Sequence, residues 1–236
     1  MSNNSNLNLG KRTDRKMSPF QIKDCALIVR ICSQLPAVNL RELRERIATV
    51  QADSLYHHFC ENVLRPSFDD PEFHNDFAIW ARRALHDHVL AERLGILDPY
   101  SFPSTEDLRK EVLEILDDRL SELHYIPWAS HNRDFFFSSA TTVVFDTNSQ
   151  IDSPADLGSA VAAMTTSSLY YHFWEARRRT PDRLDDFSVW LRDWDHKGQP
   201  LVEAFSHIDF YFLSLRELQA KICQTINDLV DRNMIK

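Results

Sequence analysis

The sequence predicts a mainly α-helical chain with a small β-sheet, an α+β protein built of two tandem homologous modules related by a pseudo-two-fold axis. Three observations lead there. Only four glycines occur in 236 residues, against ten prolines, which disfavours phosphate loops and many-turned β architectures, because both depend on residues that tolerate positive φ. Ser54-Leu-Tyr-His-His-Phe59 returns as Ser168-Leu-Tyr-Tyr-His-Phe173, five identities in six at an offset of 114. Two short stretches, one ahead of each copy, are rich in β-branched and aromatic residues and poor in helical spacing.

The repeat extends in both directions. Downstream, Asp76-Phe77-x-x-Trp80 matches Asp186-Phe187-x-x-Trp190 at an offset of 110, and Asp98-x-Tyr100 matches Asp209-x-Tyr211 at 111. Upstream, Leu43, Ile47, Ala48 and Val50 align with Leu157, Val161, Ala162 and Met164. These matches divide the chain into a disordered polar arm at 1–18, a first module at 19–125, a linker at 126–133 and a second module at 134–232.

Within each module the elements follow one order. A strand opens it, Phe20 to Cys32 and Phe135 to Phe145, and the two are expected to pair with each other, since a lone strand leaves half its backbone groups unpaired. A helix follows, begun by Asn39-x-x-Glu42 in the first module and by Ser153-Pro154-x-Asp156 in the second. Leu40, Leu43, Ile47 and Val50 form the buried stripe of the first of these. The Ser-Leu-Tyr segment opens a second helix and the Asp-Phe segment a third. A short fourth covers Leu90 to Leu94 and Leu201 to Phe205. The last helix follows Ser104-x-x-Asp107 or Ser214-x-x-Glu217, both resembling capping boxes, with Leu108, Val112, Ile115, Leu116 and Leu120, or Leu218, Ile222, Ile226 and Leu229, behind them.

Charge bounds the partners. Lys and Arg number 27 and Asp and Glu 35, a net charge of −8, which repels polyanions and argues against nucleic acid. The basic runs Lys11-Arg12, Arg15-Lys16 and Arg177-Arg178-Arg179 are read as solvated faces first. No run approaches the roughly 18 apolar residues of a membrane span, and the N-terminal residues lack the apolar stretch of a signal peptide. Cys25, Cys32, Cys60 and Cys223 show no CxxC spacing and read as reduced, mostly buried thiols of a cytoplasmic protein.

At the repeated residues the chain resembles a bacterial family known only as a domain of unknown function. Its members share S-h-Y-x-H-F, N-D-F-x-x-W, L-A-x-x-L followed by D-P, and a phenylalanine-rich strand leading to V-V-F-D-T. Here these are Ser54 to Phe59, Asn75 to Trp80, Leu90 to Leu94 with Asp98-Pro99, and Val143 to Thr147. The second copy departs with Asp185 for the asparagine and Phe210 for the proline, which implies that the halves differ in use. The resemblance transfers no catalytic residue. Single copies of a similar module joined to other proteins would fit an interaction or sensory role.

The candidates for chemistry are His58, His172, Asp76 and Asp186. A histidine at the same place in both copies suits a metal ligand or proton-transfer group, but Leu55, His58, Phe59 and Asn62 share a helical face, as do Leu169, His172, Phe173 and Ala176, which favours a buried structural imidazole. His57 and Tyr171 differ between copies and are expected at the surface. Asp76 and Asp186 read as helix N-caps; the competing reading sets each against its copy's histidine. Glu61 and Glu175 give H-x-x-E pairs whose order is reversed from that of di-iron bundles, whose further glutamates are missing, so no metal and no cofactor are expected. Nucleophile, Walker and dinucleotide motifs are absent.

The sequence therefore favours a non-catalytic binding or regulatory module over an enzyme. The alternative is an enzyme or metal-binding protein whose site lies between the copies and uses the paired histidines and aspartates. Binding is expected where the copies differ, at Trp174 with Arg177, Arg178 and Arg179, toward a protein partner or an anionic ligand. Trp128 and Trp194, also unmatched, are read as core before contact surface.

Overall fold

The computed structural model describes residues 17–32, 35–65 and 72–232, with the side chains of 195–197 excepted; most of the expected N-terminal arm, residues 1–16, lies outside them. The chain is mainly helical with one two-stranded antiparallel sheet. β1 (Phe20–Ile31) leads to α1 (Leu40–Thr49), α2 (Ala52–Tyr56), α3 (Asp76–Arg83), α4 (His88–Gly95) and α5 (Thr105–Glu122). β2 (Ser138–Ile151) leads to α6 (Leu157–Ala163), α7 (Thr166–Leu169), α8 (Ala176–Arg179), α9 (Asp186–Leu191), α10 (Gln199–Ser206) and α11 (Leu215–Asp231).

The helix starts follow their side-chain chemistry. Asn39 Oδ1 accepts from the Glu42 N–H at 2.9 Å while the Glu42 carboxylate accepts from the Val38 N–H at 3.2 Å, so two donors with no partner inside the helix are satisfied reciprocally. Ser104 accepts from the Asp107 N–H, and Ser214 forms a complete capping box with Glu217. The apolar stripes face inward as their spacing requires: Leu40, Leu43 and Ile47 on α1, Leu108, Val112 and Leu116 on α5, Leu218, Ile222, Ile226 and Leu229 on α11.

The two strands pair with each other around Leu27 and Thr142, and the register slips between Ile22 and Lys23. β2 lies further along than the aromatic run suggests. Phe135 and Phe137 precede it as buried core residues, and the polar stretch after Phe145 continues the ladder to Ile151, opposite Phe20. Hydrogen bonding to β1 holds that stretch extended, which its low apolar content does not reveal. Asn148 takes the left-handed conformation, φ 58°, which asparagine tolerates better than most residues.

Two cores form, and each takes residues of a strand, or of the segment just ahead of one, from across the chain. The first unites Ala37 to Leu116 with Phe135 and Phe137; the second unites Ile151 to Leu229 with Phe20 and Cys25. The strand segment expected to open each module thus packs into the helices of the other. Between the helix sets, Tyr211 donates to the Phe59 carbonyl at 3.1 Å and Tyr56 to the Glu175 carboxylate at 2.9 Å.

Candidate functional site

α2 does not end at Tyr56 but widens into a π-helical turn, His57–Glu61, and α7 does the same through Tyr170–Glu175. Such turns add a residue to the helical repeat and redirect the side chains on it. Here they bring a serine and a histidine four residues apart onto a single strand residue. Ser54 donates its hydroxyl to the Ser138 carbonyl at 2.8 Å, and His58 Nε2 accepts the Ser138 N–H at 2.9 Å. Ser168 donates to the Lys23 carbonyl at 2.7 Å, and His172 Nε2 accepts the Lys23 N–H at 2.8 Å. Both backbone groups of one residue are held by two side chains, at the start of β2 in one case and at the register slip of β1 in the other.

This geometry fixes the tautomer. A backbone N–H can only donate, so Nε2 of each ring is unprotonated and Nδ1 carries the proton. That proton points at a carboxylate: His58 Nδ1 lies 2.7 Å from Asp76 Oδ2, and His172 Nδ1 lies 2.8 Å from Asp186 Oδ2. Arg65 at 2.8 Å and Arg179 at 2.6 Å complete each carboxylate's partners. Burial depresses the His58 pKa below 6.5, outweighing the pull of Asp76 in the other direction. Burial also opposes ionisation of Asp76, but the bond to His58 and the charge of Arg65 prevail and hold its carboxyl below the usual range.

The aspartates are therefore not the N-caps expected of them. Asn75 and Asp185, one residue earlier, accept the N–H groups of Ala78 and Ser188, which leaves Asp76 and Asp186 free to turn to the rings. The tryptophan of each motif anchors the segment before the strand: Trp80 Nε1 donates to the Arg133 carbonyl at 2.6 Å, and Trp190 Nε1 to that of Ser18 at 2.9 Å. Phe135 stacks on Phe77, 4.9 Å between centroids, and touches His58 and Trp80; Phe20 does likewise with Phe187, His172 and Trp190. The two histidines sit in separate aromatic cores rather than in one shared site.

Other expectations are corrected. His57 is not at the surface but fully buried, its Nδ1 2.6 Å from Glu61, because the wide turn points both side chains inward. Glu61 thus serves His57 and not His58, while Glu175 takes the Tyr56 hydroxyl, so the H-x-x-E pairs do not form as such. Among the described residues no group of three or more His, Cys, Asp or Glu is placed to hold a metal ion. All four thiols are free; burial pushes that of Cys25 up to about 12 and that of Cys60 well above its ordinary value, which makes both poor nucleophiles.

The segment expected to bind is divided: Arg178 and Arg179 are exposed and ion-paired, Arg177 is half-buried, and the tryptophan is inside. Trp174 is 1% exposed. Arg177 lies over Phe173 and Phe210 and reaches Asp185 at 3.4 Å, Arg178 stacks on Tyr56 and bonds Asp53 at 3.0 Å, and Arg179 is held by Asp186 and Tyr171. Trp128, by contrast, is exposed. An open cleft of roughly 330 Å³ lies instead beside His58 and Asp76, its walls including Arg65, Arg83, Arg133, Trp80 and Phe136. Sequence reasoning passed over Arg83, Arg133 and Phe136. The signal available was a mismatch at the offset of 110, where Arg83-Ala84 stands against Asp193-Trp194.

No curated protein matches the chain. Among solved structures it is similar to OrfY from Thermoproteus tenax, with a TM-score of 0.73 and 28% identity over 89% of this chain and 95% of that one. A family model, described as a family of unknown function (DUF5752), matches residues 17–227, and the chain belongs to that family.

Proposed function

We propose that this protein is a non-catalytic binding module, formed from two homologous copies that exchange their strands about a pseudo-two-fold. The observation that carries the reading is the occupation of the histidines. In each dyad both ring nitrogens already hold a partner, a carboxylate on Nδ1 and a strand N–H on Nε2. A general base needs a free lone pair within reach of substrate, and neither ring has one. The Ser-x-x-x-His arrangement is a device for holding a strand.

The equivalence of the two clamps supports the duplication. Ser138, Phe135 and Arg133 stand to the first helices as Lys23, Phe20 and Ser18 stand to the second, at one offset of 115. With shape maintained alike in both halves, binding falls to the surfaces where they differ, and the cleft beside Asp76 is a better candidate than the Trp174 to Arg179 segment, whose tryptophan is buried and whose three guanidinium groups already hold carboxylates. The partner is a protein or an anionic ligand in the cytoplasm. The test is a turnover screen over ester, phosphoester, glycoside and amide probes with the wild type, His58→Ala and His172→Ala. No histidine-dependent turnover, with both variants less stable, is the expected result. Turnover abolished by either change in a protein that remains folded would replace this reading with an enzyme.

A further inference from the structure

Three features of the cleft beside Asp76 combine. Arg65, Arg83 and Arg133 face two carboxylates, Asp76 and Asp134, around a neutral His58. The sign is positive in a chain whose net charge is −8. At the corresponding positions of the second half, Arg179 remains, but Asp193 replaces Arg83 and Ser18 replaces Arg133; with Asp186 the balance there is negative. The wall differs too. Where the first half has the methyl group of Ala84, the second has Trp194, whose ring lies 5.5 Å from Trp190.

The arginine between these features is held ready. The Arg133 carbonyl accepts from Trp80, its N–H donates to the Ser130 carbonyl at 3.0 Å, and Ser138 a few residues on is clamped by His58. Asn132 before it takes the left-handed conformation, φ 60°, that closes the turn. The backbone carrying Arg133 is thus fixed at three points before any ligand arrives, which reduces the ordering cost of binding. Arg65 spends one N–H on Asp76 and, with five donors on a guanidinium, keeps others for a second acceptor. Phe136, 53% exposed on the same wall, offers an apolar face.

Resting on the binding-module reading, we propose that this cleft takes a small organic oxyanion, a phosphate or carboxylate group on an apolar or aromatic body. The anion lies on the forks of Arg133 and Arg65, which match either group in bidentate fashion, and the body lies against Phe136. The size agrees with a ligand pocket rather than a macromolecular interface, which spans a much larger and flatter area.

Calorimetric titration of the full chain with phenyl phosphate, benzoate and inorganic phosphate tests this. At least one organic probe should bind with a Kd below about 1 mM and about tenfold more tightly than inorganic phosphate, and which of the two does so identifies the oxyanion. Arg133→Ala should weaken that binding about tenfold without moving the melting temperature, and Phe136→Ala should narrow the gap between the organic probe and inorganic phosphate. Lys110→Ala, an exposed cation on α5, should change nothing. Absence of binding by both organic probes at about 10 mM, or binding indifferent to Arg133→Ala, overturns the proposal and leaves the module reading standing. A probe that is consumed rather than bound would instead overturn the module reading.

Discussion

His58 and His172 have the same partners in kind and different neighbours. Each accepts a strand N–H, donates to an aspartate that an arginine also holds, and packs on three phenylalanine or tyrosine rings. Around the first, however, lie a buried His57–Glu61 pair and an open cleft with three arginines; beside the second lies Tyr171 under Arg179, with the indole of Trp194 against Trp190 further out. The clamp occurs in both halves, and the surface beside it does not. The lesson is that a residue repeated in both halves of a chain points first to what both halves need, which is shape.

The largest expected effect tests whether the halves are equally dependent on the exchanged strands. Phe135→Ala and Phe20→Ala each remove a buried ring that contacts a histidine, a phenylalanine and a tryptophan, and each should cost about 3–5 kcal/mol in denaturant unfolding. A loss confined to one of them would break the equivalence. Next come His58→Ala and His172→Ala, at about 1–3 kcal/mol each, because a strand N–H and a carboxylate lose their partner together. His57→Ala, at a position buried with Glu61, should also destabilise, in contrast to an exposed histidine such as His86.

A pH series sharpens the same comparison. Burial lowers the folded-state pKa of His58 below the usual 6.5, so between the two values the unfolded chain binds the proton and the folded one does not. The contribution is fully present above pH 6.5 and is lost as pH falls toward the folded pKa. Protonation at Nε2 would also repel the Ser138 N–H. Thermal melts of the wild type should therefore decline through this window, and the decline should be shallower in His58→Ala. Smaller again are Ser54→Ala and Ser168→Ala, each about 0.5–1.5 kcal/mol, as one hydrogen bond to a strand carbonyl is removed. Arg133→Ala should lie within about 0.5 kcal/mol of the wild type, since only ligand, not fold, uses its guanidinium.

Much of the architecture is legible in the amino-acid order. Asn39, Ser104 and Ser214 announce their helices because capping is local chemistry, and the stripes behind them are visible because burial imposes the helical period. The strand run of β1 and its pairing with a twin were also readable. The second strand's end was not, since residues 146–151 are extended by their ladder to β1 rather than by their own preference. His57 looked superficial because its counterpart in the other copy is a tyrosine, Tyr171, and nothing in five residues reveals a π-helical turn. Asp76 looked like a cap because its neighbour Asn75 can do the same work; only the structure shows which of the two turned toward the ring. The cleft was legible solely as differences between the halves, and such differences carry no sign of which one opens a cavity.

The exchange of strands has a consequence for biosynthesis. Lys23 is 149 residues from His172 and 145 from Ser168, whereas Ser138 is 80 from His58. A ribosome working at 5–20 residues per second delivers His172 roughly 7–30 seconds after Lys23. Until Ser138–Ile151 follow, which takes most of that interval, the first strand has neither its clamp nor its partner ladder, with Ile28, Val29 and Ile31 in its sequence to attract other chains. Separations of this length also slow the search for native contacts. The first core needs Phe135 and Phe137 from just ahead of β2, so a chain arrested before Phe135 has an incomplete core and should be prone to association or proteolysis, and circular permutants that begin at the linker should relieve the wait for neither strand but redistribute it between them.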